Sequence, residues 1–529
     1  MHRILTSAAV LALSSGIASA EYSLHIIHIN DLHSRIESIN RFDSTCSAED
    51  EGEGKCFGGV ARVATKINEL RDQLTADGQN VIVLDAGDQF QGSLMYSTYK
   101  GEVEAEFMEK IGFDAMAVGN HEFDDGPIKL REFTDRVSFP VISGNLDLSA
   151  EELLKDHVMD HVVLEVGGER IGIVSALAVD TVETSSPGPN VIFQNEIEAL
   201  QQDVSELEAA GVNKIIALTH VGLPKDMAIA EAVSGLDAVV GGHSHTLLGN
   251  DNEDASAPYP VMVGDVPVVQ AYAYSKYVGH LELTFDDAGN VTAATGNTIV
   301  LDASIEPDAE IVARVSELAG PIEELKAQRV SDAASPIEGD RSVCRAMECE
   351  MGNLVTDAML ARVADQGIQI AFQNGGGLRA SIDEGEITMG EVLTVLPFQN
   401  TLSTFQATGQ MLIDALENGV SKYDEGAGRF PQVAGMTFTW DPSAEAGSRI
   451  TEVMVVDGDT SVPIDPAATY GVVTNNYVRN GGDGYAMFAG DDKNAYDFGP
   501  DLADVVAEYL AEAGGAYEPF TEGRIKQVE

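Results

Sequence analysis

Ala115-Met116-Ala117-Val118-Gly119-Asn120-His121-Glu122-Phe123-Asp124 passes from an unbroken apolar run into a dense polar cluster. A short apolar run that stops at a glycine reads as a strand buried on both faces. Working outward, the same transition recurs. Leu24 to Ile29 precedes Asn30-Asp31-Leu32-His33, and Val81 to Leu84 precedes Asp85-Ala86-Gly87-Asp88. Ile215 to Leu218 precedes Thr219-His220, Ala238 to Val240 precedes Gly241-Gly242-His243-Ser244-His245, and Ile171 to Val174 is a further run. Helical patterns such as Gly59 to Leu74 and Glu196 to Ala210 lie between several of them, so the first half reads as α/β. In such sheets functional groups gather beyond the strand ends.

Taken singly, an Asp after a strand often caps the next helix. Isolated imidazoles such as His25, His28 and His280 read as structural. Jointly, the clusters supply oxygens from Asp31, Asp88 and Asn120 and imidazoles from His33, His220, His243 and His245. That set suffices for two divalent cations with one carboxylate shared. Phosphoryl transfer gains from such a pair, because the metals neutralise charge on the phosphoryl oxygens and acidify a water, so that hydroxide, the expected nucleophile, exists at neutral pH.

The second half holds Phe372-Gln373-Asn374-Gly375-Gly376-Gly377-Leu378-Arg379, then Pro397-Phe398, then Tyr477-Val478-Arg479-Asn480-Gly481-Gly482-Asp483-Gly484-Tyr485. A glycine triplet lets backbone approach a ligand closely, although alone it is more often a turn, and an arginine such as Arg379 can fork two hydrogen bonds onto phosphate. Cys344-Arg345-Ala346-Met347-Glu348-Cys349 and Met351-Gly352-Asn353-Leu354 precede these stretches.

In this order the motifs resemble the metallophosphoesterases, and within them the 5′-nucleotidase family, over nearly all of the chain beyond its leader. The resemblance implies an N-terminal calcineurin-like metallophosphoesterase domain, a four-layer α/β sandwich, joined by a helix to a C-terminal α/β nucleotide-binding domain. It implies that Asp31, His33, Asp88 and His245 hold one divalent metal and that Asp88, Asn120, His220 and His243 hold the second, with Zn, Mn or Co as candidates. His245 departs from the amide often found there. His121 would stabilise transition-state charge and Asp124 would orient its ring, the plainer alternative for Asp124 being a helix N-cap. Phe398 and Tyr477 would sandwich the base, Asp483 would accept from ribose hydroxyls, and Arg345, Asn374, Gly376 and Arg379 would line the phosphate and ribose site. Tyr477 replaces the more usual Phe, which keeps the ring face and adds a hydroxyl. Core packing is the ordinary fate of such aromatics, but both stand beside motif glycines. The implied reaction is hydrolysis of nucleoside 5′-monophosphates. A broader hydrolase acting on ATP, ADP, UDP-sugars or 2′,3′-cyclic nucleotides is the alternative within the fold. A non-catalytic nucleotide-binding protein is the alternative outside it, and the complete ligand set with His121 and Asp124 argues against that.

At 529 residues the chain suits two or three domains. Residues 1–20 read as a signal peptide, with Arg3 before an apolar run and Ala18 and Ala20 before cleavage at Glu21. A membrane anchor fits less well, since Ser14, Ser15 and Gly16 interrupt a run shorter than the roughly 20 residues a span needs. No later segment is apolar enough to span, and Thr521 to Glu529 is polar, so the expected product is periplasmic or secreted with no membrane span. The expected units are a phosphatase domain at 21–307, a connector helix at 308–330, and a substrate-binding domain at 331–529. The helix could equally be the terminal helix of the first domain. In the last unit Gly352 to Ala364 reads as helix, and Gln369 to Phe372 and Gly471 to Thr474 as strands. Four cysteines in an exported chain suggest disulfides, and proximity favours Cys46 with Cys56 and Cys344 with Cys349 among three connectivities. Neither pair has zinc-knuckle spacing.

A formal net charge of −55 leaves too few Lys and Arg clusters for a nucleic-acid polymer, whereas a small nucleotide needs only local cations. The acidity makes a strongly hydrated surface and also fits adaptation to high external salt. In that case the melting temperature should rise as the Debye length shrinks from about 10 Å at 0.1 M to about 3 Å at 1 M salt. A flat melting temperature across that range in calorimetry would exclude salt adaptation.

Overall fold

A computed structural model describes residues 22–41, 43, 45–457, 460–490, 493–497 and 499–528. The expected signal peptide at 1–20 lies outside the described residues.

Each apolar run of the first half is a strand, and its alternation explains the layers. On Tyr22–Ile29 and Asn80–Asp85, the side chains of Leu24, Ile26, Ile82 and Leu84 face one core while Ile27, Ile29 and Val83 face another. A strand buried on both sides is largely apolar, which is why these runs carry few polar residues, His25 and His28 being buried exceptions. One six-stranded sheet runs in the order Val291–Val300, Tyr277–Phe285, Tyr22–Ile29, Asn80–Asp85, Ala115–Ala117, Val141–Ile142. The other runs Val261–Val263, Val266–Val269, Ala238–Gly241, Ile215–His220, Glu169–Leu177, His161–Val166. Their facing sides share a core that includes Ile26, Leu84, Ile173, Leu218 and Val240.

Helices cover the outer faces. Val60–Ala76 buries Val60, Val63, Ala64 and Ile67, one stripe at helical spacing, against the first sheet. Glu196–Ala209 buries Leu200, Val204 and Leu207 against the second, and its N-cap Asn195 accepts from the Glu198 amide at 3.1 Å. The result is the expected four-layer α/β sandwich. Tyr22–Ile29 pairs parallel with Asn80–Asp85, and Ile215–His220 pairs parallel with both Glu169–Leu177 and Ala238–Gly241. The carboxyl ends of these strands therefore emerge along one edge, where the ligand-type clusters sit.

The helix expected over 308–330 is shorter, Ala309–Lys326, and begins where Asp308 caps the Glu310 and Ile311 amides at 2.9 Å each. Residues 329–330 instead open the strand Arg329–Ala333, which pairs with Gly385–Thr388. Alternating burial at Ser331 and Ala333 gives this segment a strand period, which overrides helix propensity. The helix buries Ile311, Leu318 and Ile322 in the core of the first half, and Tyr99 Oη donates to Leu318 O at 2.7 Å. At its far end Gln328 O accepts from the Met389 amide at 2.9 Å, so the helix packs with the first half and hands the chain to the second.

The second half has two four-stranded sheets. One runs Leu402–Thr408, Thr469–Asn475, Ile370–Asn374, Pro431–Ala434, and the other Thr460–Pro463, Ile450–Asp457, Met436–Trp440, Ile525–Gln527. Helix Glu350–Arg362 packs on the first of these. Both expected disulfides are present, with Cα separations of 6.0 Å for Cys46–Cys56 and 5.1 Å for Cys344–Cys349. The second is buried, and Cys349 is the N-cap of helix Glu350–Arg362. Replacing Cys344 and Cys349 together by Ser should therefore destabilise the second half by about 2 kcal/mol, the loop-entropy value for a closure this short. Trp440, the sole tryptophan, is fully buried in that half, so the urea midpoint of its fluorescence reads the effect, and an unchanged midpoint would contradict it.

Candidate metal centre and nucleotide-binding face

The loops that leave the strand ends turn sharply. Asp31, His33, Asp88, His243 and His245 all have φ between 49° and 76°, the left-handed region that non-glycine residues rarely occupy. Five such residues on three loops aim their side chains at a common centre, and the conformational cost is offset by a dense hydrogen-bond frame.

The centre of that frame is Glu122. Its buried carboxylate accepts from the amides of Asp88 (3.0 Å), Gln89 (2.8 Å) and Phe90 (3.2 Å) on one loop and Gly119 (2.7 Å) on another. Burial and the Asp88 carboxylate push the Glu122 carboxyl up to about 7, against the pull of the amides. Asp88 Oδ1 in turn accepts from the His121 amide at 2.9 Å. Gly119 must be glycine, because a Cβ there would lie 2.2 Å from Asp88 Oδ1.

Asp31, His33 and His245 bring one ligand atom each within 4.8 Å of one another, and Asp88, His220 and His243 do the same. Asp88 Oδ2 lies 2.9 Å from His220 Nε2 and 3.8 Å from His33 Nε2, so it faces both groups. In the first group His245 Nε2 is 3.3 Å from Asp31 Oδ1 and 2.9 Å from His33 Nε2. Asn120 Oδ1 lies 2.8 Å from His243 Nδ1. Asp88 Oδ2 and His220 Nε2 are fully buried, face each other at 2.9 Å and have no further hydrogen-bond partner, so both would be available to hold a divalent cation. The ring orientation agrees: His220 Nδ1 donates to Ala86 O at 2.6 Å, which leaves Nε2 as the ligand atom.

Protonation follows from the same packing. Burial and His245 hold His33 well below the usual imidazole value, and burial and His220 lower His243 to about 3, so both are neutral, the form that binds metal. Burial would raise the Asp88 carboxyl, but His220 and His121 hold it well below the carboxylate range. His121 behaves oppositely. Burial lowers it, but Asp124 and Asp88 raise it to about 9 before any metal charge is counted. His121 Nδ1 lies 2.6 Å from Asp124 Oδ2, and Ser185 Oγ donates to Asp124 Oδ1 at 2.8 Å, so Asp124 orients the ring and is itself held.

Beside these ligands is a cavity of about 630 Å³, with His33, His121, His243 and His245 on one wall and Asn476, Arg479 and Tyr496 of the second half on the other. An adjoining cavity of about 470 Å³ shares His245, Tyr274, Asn476 and Asn480 with it and is lined by Phe398 and Tyr477. The two aromatics therefore share one space. Arg345, Asn374, Arg379 and Asp483 line neither cavity. Asn374 Nδ2 donates to Asp483 Oδ2 at 2.8 Å, and the Arg379 guanidinium lies 5.1 Å from the Phe398 ring centre. Gly376 has a packing reason as well, since a Cβ there would lie 2.8 Å from Gly428 Cα.

Sequence reasoning missed four residues of this site. Glu122 stood inside the quoted cluster, but its role needs the fold that brings the Asp88 loop over it. Arg35 and Tyr274 stack with the guanidinium 4.9 Å from the ring centre, in the wall of both cavities. Burial, and after it the charge of Arg341, lowers the guanidinium pKa of both Arg345 and Arg379.

The family model for calcineurin-like phosphoesterases matches residues 24–247, and the model for the 5′-nucleotidase C-terminal domain matches residues 326–490. A snake venom 5′-nucleotidase from Gloydius brevicauda is 36% identical over 99% of this chain and 92% of its own length. The 5′-nucleotidase of Homo sapiens is 38% identical over 96% of this chain and 92% of its own length. Among solved structures, a 5′-nucleotidase precursor from Thermus thermophilus is 40% identical with a TM-score of 0.60, covering 96% of this chain and all of that one. The NAD nucleotidase of Haemophilus influenzae is 26% identical with a TM-score of 0.78, covering 97% of this chain and all of that one. With both family models in order and relatives of this identity over nearly its full length, the chain belongs to the 5′-nucleotidase family of metallophosphoesterases.

Proposed function

We propose that the protein is an exported, two-metal 5′-nucleotidase that hydrolyses nucleoside 5′-monophosphates to nucleoside and phosphate. The observation that carries the reading is the convergence of two groups of ligand atoms on the fully buried Asp88 Oδ2, which lies 2.9 Å from His220 Nε2, beside a cavity that adjoins the one lined by Phe398 and Tyr477. Asp31, His33, Asp88 and His245 would hold one ion and Asp88, Asn120, His220 and His243 the other. Zinc, manganese or cobalt suits this imidazole and carboxylate set. Two such ions supply neutralisation of phosphoryl oxygens and a water acidified into the neutral range.

The chain's own residues do the rest. His121, held by Asp124, presents a cationic ring edge to the phosphoryl oxygens, where charge grows in the transition state. Phe398 and Tyr477 take the base between their faces. Arg345 and Arg379, with Arg341, draw the phosphate, and Asn374 and Asp483 take the ribose. Because those groups line neither cavity, substrate binding requires the second unit to turn about the connection that follows helix Ala309–Lys326. The 40%-identical relative that superposes at only 0.60 over 96% of the chain supports two rigid units whose relative orientation varies. Export is supported by the two disulfides and the leader pattern at 1–20, and among the described residues no helix is long and apolar enough to cross a membrane.

Two experiments test this. Asp88→Asn and His121→Ala should each lower kcat by about 10²–10³ or more, the cost of losing a charge-stabilising group. Metal analysis separates them, since Asp88→Asn should lose metal and His121→Ala should retain it. An Asp88→Asn protein with two metals and normal turnover would remove the shared-ligand assignment.

The second experiment measures phosphate release from AMP, ADP, ATP, UDP-glucose and 2′,3′-cyclic AMP, each with Mn²⁺, Zn²⁺, Co²⁺ or Mg²⁺ after chelation. AMP should give adenosine, and no reaction should survive without added metal. Comparable turnover of UDP-glucose or ATP would favour the broader hydrolase, the reading that likeness to an NAD nucleotidase supports. Nucleotide binding without hydrolysis under any metal would favour the non-catalytic reading.

A further inference from the structure

Tyr477 carries a hydroxyl that ring stacking does not use. Its side chain is about half exposed and lines the cavity it shares with Phe398, so its ring face is open to a ligand. The hydroxyl lies at the ring's edge and is engaged twice by one residue. Tyr477 Oη donates to Asp483 Oδ1 at 3.1 Å and accepts from the Asp483 amide at 3.1 Å. The other carboxylate oxygen, Asp483 Oδ2, accepts from Asn374 Nδ2 at 2.8 Å. Asn374 is oriented in turn, because its Oδ1 accepts from Asn475 Nδ2 at 2.9 Å, which turns its amino group toward Asp483.

The backbone of Asp483 needs this support. Its φ is +53°, in the left-handed region, and its carbonyl accepts from Asn418 Nδ2 at 3.2 Å. Gly482 is part of the same design. A Cβ there would lie 2.6 Å from the Tyr477 ring, so only glycine lets the ring come close enough for its hydroxyl to reach Asp483. A carboxylate oxygen has two lone pairs, so each oxygen of Asp483 retains acceptor capacity after these bonds.

We propose that the Tyr477 hydroxyl is a positioning group that fixes the Asp483 carboxylate for a ribose diol, so that one residue both stacks on the base and sets discrimination for ribonucleotides. This rests on the nucleotidase reading above. A preformed acceptor spares the ligand the cost of ordering it, and the gain applies only to substrates that carry the hydroxyls. The ring without its hydroxyl would stack equally well on any base, so stacking and sugar selection are separable in Tyr477→Phe.

The test measures kcat and KM of wild-type protein, Tyr477→Phe, Asp483→Ala and the double variant on AMP and on 2′,3′-dideoxy-AMP. Tyr477→Phe should raise KM for AMP about tenfold, the scale of one hydrogen bond to a charged group. The loss should fall in KM rather than kcat, and KM for dideoxy-AMP should stay within about twofold of wild type. In the Asp483→Ala background, Tyr477→Phe should have no further effect on the AMP to dideoxy-AMP ratio. If Tyr477→Phe leaves that ratio unchanged, or weakens both nucleotides equally, the inference is overturned while the nucleotidase reading stands. A wild-type protein that hydrolyses neither nucleotide overturns both.

Discussion

One buried carboxylate makes the metal centre possible. Glu122 closes four amide hydrogen bonds across two loops that share no secondary structure, and those loops carry Asp88, Asn120 and His121. Without an acceptor these amides would be buried donors lacking partners, each costing roughly 1–3 kcal/mol. With it, the Asp88 loop is held over the Gly119 turn tightly enough to exclude even a methyl group. The positions of Asp88, Asn120 and His121 are therefore set by the backbone frame around Glu122. A site built this way keeps its geometry because its support is made of main chain, which has fewer soft torsions than side chains.

The first half was legible because its strands are buried on both faces. A largely apolar run that gives way to Asp, Asn, Thr or His marks both the strand and the end at which chemistry gathers. Tyr22–Ile29, Asn80–Asp85 and Ile215–His220 all show the apolar run and the polar residues at its end. The helix after residue 308 was legible at its start, where Asp308 caps it, and illegible at its end. There, tertiary pairing of Arg329–Ala333 with Gly385–Thr388 decides the outcome, and no local signal announces a partner strand so distant in the chain. Glu122, Arg35, Tyr274 and Arg341 were missed for the same reason. Each acts on a residue distant in sequence, and a side chain's type does not disclose its neighbours.

His245 stands where the sequence resemblance leads one to expect an amide. The structure brings its Nε2 to 3.3 Å from Asp31 Oδ1 and 2.9 Å from His33 Nε2, within reach of the same ion. An imidazole in place of an amide makes that group of three one carboxylate and two nitrogens. Nitrogen-rich sets favour zinc and cobalt over magnesium, so in the proposed centre an imidazole here would tilt the choice toward those ions. Tyr274 closes the outer side, its ring centre 5.1 Å from that of His245, and it also meets the guanidinium of Arg35.

A chain with 86 acidic and 31 basic residues must still attract a dianion. Screening meets half of that requirement, because exposed carboxylates more than about 10 Å away count for little at 0.1 M salt. The local field meets the rest. Burial and then the charge of Arg341 depress both Arg345 and Arg379, and Arg35 lies buried in the wall of both cavities. Like charges gathered in this way repel, and in a chain so rich in carboxylates the simple remedy would be an acidic partner for each. Arg345 and Arg379 instead donate to the backbone carbonyls of Gly426 and Gly376. With Asp483 as a nearby carboxylate for Arg345 and neutral carbonyls as the bonded acceptors, the cluster keeps an attraction for a mobile anion.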